Sequence, residues 1–221
     1  MTNTVVEVNN LSKSFKQQTL FNSVSFKLKK GKAYGFIGPN GSGKSIIFKI
    51  ISGLLSADTG EIIVFGQKIG KDIDFPPNTG IIIENPQFLE EYSGYKNLRY
   101  LAAIRNKIND EKIKKTIQEV GLDPLNTRPV KKYSLGMKQR LGIAQAIMED
   151  PQLLILDEPF NGLDKTGVQM IRSLLLNLKN KGVTILLTSH IQKDINTICD
   201  EVFEFNQQKL ELVKKTSDEK E

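Results

Sequence analysis

Cysteine is nearly absent from this sequence, which has one, Cys199, in 221 residues. A single cysteine excludes a disulfide within the chain and fits a reducing cytoplasm. We interpret Cys199 as a residue that fills the core, because a lone cysteine is far more often a packing residue than a nucleophile. The sequence therefore points away from a secreted, disulfide-rich fold and from thiol catalysis.

Long apolar runs are missing too. The longest, such as VTILL at 183–187, are far shorter than the roughly 20 residues that a membrane-spanning helix needs. The N-terminal stretch MTNTVVEVNN contains neither a basic region nor an apolar segment, so we expect no signal peptide. Any role at a membrane would then depend on a partner that spans it.

A strong excess of one charge is missing as well. The net charge of +6 comes mostly from lysines spread along the chain, a pattern typical of a solvated surface. The alternative is a face that lies against an anionic membrane or nucleic acid. We expect no nucleic-acid partner. The segment KKTSDEKE at 214–221 is charged and is predicted to be a disordered tail.

The sequence does contain a succession of short apolar runs. Four are continuous, which is typical of parallel strands buried on both faces: residues 33–37, 80–83, 153–156 and 184–188. Three others are bounded by Asn, Lys or Gly and predict a mostly antiparallel sheet: residues 5–8, 24–28 and 61–65.

Helical patterns lie between these runs, one from Ser45 onward and another over 110–122. Their apolar faces are predicted to be Ile47, Ile50, Ile51 and Leu54 in the first, and Ile113, Ile117 and Val120 in the second. Residues 86–150 carry almost no strand signal. The predicted fold is therefore α/β, with an N-terminal antiparallel β subdomain and an α-helical subdomain inserted at 86–150, all within one domain covering 1–213.

The segment GPNGSGKS fits the phosphate-loop pattern G-x-x-x-x-G-K-S between a predicted strand and a predicted helix. Its backbone N–H groups can wrap a phosphate chain, and the helix N-terminus adds a favourable dipole. Lys44 can reach the β- and γ-phosphates, and the Ser45 hydroxyl can ligate Mg²⁺. A chance glycine-rich turn is the alternative, which the strand and helix in register oppose. The predicted nucleoside triphosphate site comprises Gly38, Pro39, Asn40, Gly41, Ser42, Gly43, Lys44, Ser45 and Ile46.

The segment LLILDEP delivers two adjacent acids to the carboxyl end of a predicted buried strand, where ligands of open α/β sheets bind. Asp157 can hold Mg²⁺ directly or through water, and Glu158 can polarise a water aimed at the γ-phosphate. The alternative is a solvated acidic turn. His190, the only histidine, follows the strand at 184–188 and is predicted to sense the γ-phosphate from the same edge; the alternative is a structural histidine.

The segment YSLGMKQRLGIAQAI begins with Ser-x-Gly at a predicted helix start, where an anion can bind. Together with the phosphate loop and the acid pair, it resembles the nucleotide-binding subunit of ABC transporters. This resemblance covers about residues 5–205 and implies a RecA-like P-loop NTPase core that binds ATP and Mg²⁺, with Lys44, Glu158 and His190 as its catalytic residues.

In that family two subunits close head to tail on ATP. The resemblance implies that Ser134 and Gly136 contact ATP held by the opposite subunit. It places Asp164, in NGLD, in the loop that crosses the dimer interface, and it implies that Phe15 stacks on adenine.

Two features depart from the family pattern. The usual Leu-Ser-Gly-Gly-Gln is here Tyr-Ser-Leu-Gly-Met, so that the bulky Leu135 and the apolar Met137 replace a glycine and a glutamine. Glu84, in GIIIENP, stands where most of these subunits carry a glutamine that touches Mg²⁺ and the attacking water. We predict that Glu84 faces the metal, whose charge would compensate the carboxylate; solvent is the alternative. These features most resemble the ATPases of bacitracin-type and lantibiotic self-protection exporters.

The resemblance implies ATP hydrolysis that powers export of a peptide antibiotic or a similar amphipathic substrate through a separate integral membrane permease. The expected location is the cytoplasmic face of the membrane, beside a second ATPase subunit in a homodimer or heterodimer.

Two other functions compete with export. One is a soluble ABC-class ATPase of DNA repair or translation. Repair members insert a long coiled coil between the phosphate loop and the Ser-x-Gly segment, whereas Lys44 and Ser134 are only about 90 residues apart here. Translation members carry two cassettes in one chain, whereas this sequence carries one. The other is a non-hydrolysing module, which the presence of Lys44, Asp157, Glu158 and His190 opposes.

Overall fold

The computed structural model describes residues 3–16 and 18–215. These residues form ten strands and six α-helices, with one 3₁₀ turn at Val130–Lys132. The strands are β1 (Thr4–Phe15), β2 (Gln18–Lys29), β3 (Ala33–Ile37), β4 (Thr59–Val64), β5 (Gln67–Lys68), β6 (Thr79–Ile82), β7 (Leu153–Leu156), β8 (Thr184–Thr188), β9 (Glu201–Asn206) and β10 (Lys209–Lys215). The helices are α1 (Lys44–Ile51), α2 (Gly94–Arg105), α3 (Asp110–Glu119), α4 (Leu135–Ile147), α5 (Lys165–Asn180) and α6 (Gln192–Ile198).

Six strands form the central sheet in the order β10-β9-β3-β8-β7-β6. All neighbours pair in parallel except β10, which runs antiparallel to β9 at one edge. In β7, Leu153 and Ile155 join one apolar cluster while Leu154 and Leu156 join the other. Both faces of the sheet are therefore covered, which is why its strands read as continuous apolar runs. Since β3, β7 and β8 are parallel, their carboxyl ends meet at one edge.

A second sheet, with the order β2-β1-β4-β5, is wholly antiparallel. It packs with α1 on one face of the central sheet around an aromatic group that includes Phe36, Phe48 and Phe203. β1 and β2 are much longer than the predicted strands. Register shifts, one of them around Asn10 (φ 48°), let polar residues continue the pairing without apolar alternation.

Between β6 and β7 the chain forms α2, α3, the 3₁₀ turn and α4. Ile113, Ile117 and Val120 are buried there, as their helical spacing predicts. The predicted apolar face of α1 is wrong at Leu54, which lies beyond the helix and is 56% exposed. The helix stops earlier because the chain turns at Gly53, whose φ of +78° is left-handed.

Cys199 lies in the core with 5% of its surface exposed. The predicted tail begins at 214, whereas β10 continues to Lys215; residues 216–221 lie outside the described part of the chain. Among the described residues, no helix has the length and hydropathy needed to cross a membrane.

Candidate functional site

The loop between β3 and α1 carries the phosphate-loop motif. Its last residue, Gly43, precedes the helix with φ +107°, and an added Cβ would meet the Phe21 ring at 3.0 Å. Only glycine fits both constraints. In the described chain no side chain caps α1 and no acid lies in its first turn, so its first N–H groups remain available to an anion.

Lys44 lies within this loop. Its Nζ donates to the carbonyl oxygens of Gly38 and Pro39, at 2.9 Å each, and the residue is only 9% exposed. Burial lowers the pKa of the Lys44 ammonium, while the negative charges of Glu158 and Asp157 oppose that shift. The loop thus holds one partly desolvated positive charge at the point where a phosphate chain would lie.

The two acids follow β7 directly. Asp157 is 7% exposed, and its Oδ1 accepts a hydrogen bond of 2.8 Å from Thr188 Oγ1. Glu158 has a left-handed backbone, with φ 49°. The pKa of the Glu158 carboxyl is raised, mainly because the group is buried. His190 opposes this rise, and the negative charge of Asp157 adds to it. A raised pKa at a cleft suits a group that takes up a proton during catalysis.

His190 follows β8 and faces Glu158. Its Nε2 lies 3.2 Å from Glu158 Oε1. Oε1 is buried, and no group of the described chain donates a hydrogen bond to it. The imidazole is 56% exposed, so it borders the cleft rather than filling the core.

These groups line one cleft of about 370 Å³ at the carboxyl edge of the central sheet. The residues that line it are Phe15, Leu20, Asn40, Gly41, Gly43, Lys44, Ser45, Ile46, Asp157, Glu158 and His190. The structure therefore brings together most residues that the sequence assigns to nucleotide, metal and catalysis. Gly38, Pro39 and Ser42 belong to the same loop but do not line the cleft itself.

Phe15, at the end of β1, is 45% exposed at the cleft. On β1, Lys13 places its Nζ 5.2 Å from the centre of the Phe15 ring and 2.7 Å from Asp58 Oδ1. Leu20, on β2, extends this apolar end of the cleft. Sequence reasoning missed it because an apolar residue in a strand carries no sign of a ligand.

The segment YSLGM at 133–137, here called the signature segment, lies outside this cleft on the same chain. Ser134 caps α4 by accepting from the Met137 N–H at 3.2 Å, and Asp164 caps α5 by accepting from the Gly167 N–H at 2.9 Å. Arg140 of α4 also donates to Asp164 Oδ1 at 3.0 Å. Of the described residues that line the cleft, none is Ser134, Gly136 or Asp164.

The departure at Leu135 has a structural counterpart. Its side chain lies over Gly162, where an added Cβ would meet Leu135 Cγ at 2.6 Å and where φ is +72°. A Cβ on Gly136 would in turn meet the Gly162 carbonyl oxygen at 2.6 Å. The bulky leucine is thus accommodated by glycines on both sides of the contact.

Glu84 lies outside the cleft and pairs with a lysine. Its carboxylate forms an ion pair with Lys49 of α1, its side chain is 66% exposed, and the residue is not among the described residues that line the cleft. The metal contact of Glu84 stays a prediction, and in this structure the cation beside it is a lysine.

Two residues near the acids were not identified from the sequence. Gln139 of α4 donates from Nε2 to the Glu158 carbonyl at 3.3 Å. Thr188 ends β8 beside Asp157. A signal for Thr188 exists, since a threonine follows three apolar residues and comes two positions before the only histidine.

Residues 21–161 match the family described as ABC transporter. The chain belongs to the ABC transporter family. Among its relatives, "Uncharacterized ABC transporter ATP-binding protein YybJ" of Bacillus subtilis is 44% identical over 96% of this chain and 97% of that protein. The "Lantibiotic transport ATP-binding protein SrtF" of Streptococcus pyogenes is 41% identical over 89% of this chain and 84% of that protein.

A third relative, the "Bacitracin transport ATP-binding protein BcrA" of Enterococcus faecalis, is 41% identical over 89% of this chain and 64% of that protein. Among solved structures, "Structure of ATP binding subunit of ABC transporter" matches with a TM-score of 0.83 and 28% identity, over 95% of this chain and 90% of that one. The predicted α/β P-loop fold is confirmed.

This ABC subunit binds and hydrolyses ATP, and ATP and Mg²⁺ are its cofactors. The residues present fit both. Ser42 Oγ and Glu158 Oε1 are buried polar atoms with no hydrogen bond from the described chain, and they flank an uncapped helix start and a buried lysine. The described residues contain no cluster of three or more His, Cys, Asp or Glu side chains that could hold a metal. The Ser45 hydroxyl and the Asp157 carboxylate belong to residues that border the cleft. Oxygen donors of this kind suit Mg²⁺, which proteins bind through one or two carboxylates plus substrate phosphates.

Subunits of this kind work with membrane permeases and form dimers.

Proposed function

We propose that this subunit powers the export of a peptide antibiotic, or a similar amphipathic compound, through a separate integral membrane permease. The observation that carries the proposal is 41% identity, over about nine tenths of the chain, to relatives named for lantibiotic and bacitracin transport. A soluble ATPase is not favoured, because the relatives at this level of identity are named as transporter subunits.

The cleft supports the following division of roles. Lys44 binds the β- and γ-phosphates, since its charge is held at the loop and partly desolvated. Ser45 and Asp157 are the oxygen ligands for Mg²⁺, which when bound would neutralise phosphate charge. Glu158 orients the attacking water and takes its proton, and His190 contacts the γ-phosphate.

A second subunit completes the site. Ser134, Gly136 and Asp164 do not line the cleft of their own chain, and their segments pack on one another through Gly162 and Arg140. This geometry supports contact with ATP on an opposite subunit, in a homodimer or a heterodimer. ATP would then stabilise the closed pair, and hydrolysis would release it.

The permease would dock beside the end of β6. A groove of about 320 Å³ lies there, lined by Leu54, Ile83, Pro86, Gln87 and Gln145 among others. Leu54 is exposed in it, so an apolar helix of the partner has a surface to cover. The subunit would thereby lie at the cytoplasmic face of the membrane, with residues 86–150 as the subdomain that contacts the permease.

The test is co-expression with a candidate membrane permease, in a host that is sensitive to bacitracin and lantibiotics. The pair should raise antibiotic tolerance, and the pair with Glu158→Gln should not. The permease alone is the matched control. Unchanged tolerance from an assembled pair that hydrolyses ATP would refute export while leaving the ATPase activity intact.

A further inference from the structure

We infer that Thr188 is a positioning residue for ATP hydrolysis, whose hydroxyl fixes the metal-binding acid and the general base together. The inference rests on the roles proposed for Asp157 and Glu158. It adds a residue that touches neither the phosphates nor the attacking water and acts through both acids.

The hydroxyl of Thr188 makes two hydrogen bonds between the ends of β8 and β7. Oγ1 donates to Asp157 Oδ1 at 2.8 Å and accepts from the Glu158 backbone N–H at 2.8 Å. Thr188 is 0% exposed, so water does not compete for either bond.

Chemistry fixes the direction of both bonds. An ionised carboxylate can only accept, and a backbone N–H can only donate. The hydroxyl satisfies both at once, because it combines a donor and an acceptor. An apolar side chain of the same size would leave Asp157 Oδ1 and the Glu158 N–H both buried without this partner.

The two bonds act on different degrees of freedom. The bond to Asp157 engages Oδ1 and orients the carboxylate, while Oδ2 receives no hydrogen bond from the described chain and can face the metal or its water. The bond to Glu158 holds a non-glycine residue in the left-handed region, at φ 49°, which sterics disfavour. That backbone conformation sets the direction in which the Glu158 side chain projects after the end of β7.

The same strand offers a control for a purely structural hydroxyl. Thr184, at the other end of β8, is also 0% exposed, and its Oγ1 accepts from the Gly31 N–H at 3.0 Å. Thr184 does not border the cleft. Replacing it with valine removes a buried hydrogen bond from β8 without touching either acid.

The experiment compares Thr188→Val, Thr188→Ser and Thr184→Val in the purified full chain. It measures kcat and KM for ATP, the affinity for a non-hydrolysable ATP analogue in Mg²⁺ and in EDTA, and the thermal midpoint. For Thr188→Val we expect kcat to fall at least about tenfold, because small displacements of catalytic groups have effects of this order. The gain in analogue affinity on adding Mg²⁺ should shrink at least about threefold, with the affinity in EDTA unchanged.

Thr188→Ser should restore kcat and the effect of Mg²⁺, because serine keeps the hydroxyl. Thr184→Val should lower only the thermal midpoint. If Thr188→Val does not fold, Thr188→Cys takes its place with the same expectation, since a thiol is a weak donor.

A Thr188→Val enzyme with wild-type kcat and a wild-type effect of Mg²⁺ would overturn the inference. An equal kcat loss in Thr184→Val, or no recovery in Thr188→Ser, would also overturn it. Glu158→Gln, run beside them, separates failure of the proposed catalytic roles from failure of the inference about Thr188. If Glu158→Gln is inactive while Thr188→Val is normal, only the role of Thr188 fails. Absence of hydrolysis in the wild-type chain would overturn both.

Discussion

At the scale of single residues, the site depends on acids kept in unfavourable surroundings. Glu158 is partly buried, lies next to a second acid and adopts a left-handed backbone. Each feature costs stability, and each keeps the carboxyl poised beside the phosphate loop. The charge on Lys44 is likewise held in a site that disfavours it.

The raised pKa of Glu158 predicts a pH-dependent gain in stability when it is replaced. Above the folded-state pKa, the ionised carboxyl is less favourable in the folded chain than in the unfolded chain, and this cost disappears below the ordinary pKa of 4.5, where both states are protonated. Glu158→Gln should therefore raise the thermal midpoint near neutral pH, with a gain that shrinks as the pH falls toward 4.5.

Thermal unfolding of the chain without nucleotide across this pH range checks it. Glu61→Gln is a control of opposite sign, because hydrogen bonds from Lys68 and Asn9 lower the pKa of Glu61. A Glu158→Gln gain that stays constant with pH would contradict the prediction.

Lys44→Ala should weaken binding of an ATP analogue at least about tenfold, or about 1.4 kcal/mol. The loop carries no second cation that could replace the ammonium, which contacts Gly38 and Pro39. Titration with a fluorescent analogue measures the affinity. Lys49→Ala in the same helix is the matched control, since Lys49 pairs with Glu84 and does not line the cleft. Equal losses in both variants would argue against a specific role for Lys44.

Glu84 is tested by its response to metal. If its carboxylate reaches the Mg²⁺ site during turnover, Glu84→Gln should keep the ATPase rate within about tenfold but shift the Mg²⁺ concentration needed for half-maximal rate. Lys49→Gln, which removes the partner seen here, should then shift it in the same experiment. Superimposable metal titrations for the wild type and both variants would mean that Glu84 serves only the surface ion pair.

At the scale of elements, helix starts carry the groups assigned to the dimer interface. Asp164 caps α5 and also accepts from Arg140 of α4, so one carboxylate joins the interface loop to the signature helix. Ser134 caps α4 in the same manner. The residues assigned to the dimer interface are therefore the same residues that cap α4 and α5.

Asp164→Ala should lower the free energy of unfolding by about 1 kcal/mol, the usual effect of removing an N-cap. Asp164→Asn should lose less stability, because asparagine still caps α5. It removes only the charge that pairs with Arg140. Both should reduce ATPase activity if Asp164 acts at the interface. Asn109→Ala removes the cap of α3, which accepts from Lys112, and should match the stability loss without the activity loss. Urea unfolding and ATPase assays test the series, and activity losses of the same size in Asn109→Ala would contradict it.

At the scale of the whole molecule, the proposed mechanism needs two chains. The cleft holds the phosphate loop, the acids and the histidine, while the signature serine lies outside it. ATP that contacts two chains would couple nucleotide binding to association, because a ligand that binds the closed pair more tightly shifts the equilibrium toward it.

Glu158→Gln should therefore accumulate an ATP-bound dimer, since the amide keeps the shape of the carboxyl but takes no proton. Size-exclusion chromatography with Mg²⁺-free ATP should show a shift from the 24.8 kDa chain to about twice that mass. The double variant with Lys44→Ala is the control and should stay monomeric. A Glu158→Gln chain that is monomeric at high protein and ATP concentration would count against the two-subunit mechanism.

The sequence by itself determined three strands of the central sheet and the phosphate loop. β3, β7 and β8 have the predicted bounds, and the Gly38–Ser45 loop lies between a strand and a helix as expected. Both signals are local: burial on two faces demands an unbroken apolar run, and phosphate binding demands glycines and a lysine at fixed spacing. The cleft that gathers Lys44, Asp157, Glu158 and His190 followed from these, because parallel strands end at one edge.

Only the tertiary structure decided which groups pair across the chain. Glu84 meets Lys49, 35 positions away, and the Thr188 hydroxyl meets Asp157, 31 positions away. Periodicity cannot specify such contacts, since they depend on strand order and on rotamers set by packing. The strand predicted at 5–8 is the start of β1, but its full length escaped prediction for a related reason. The bulged pairing with β2 satisfies polar residues through the partner strand, and no pattern within β1 records that.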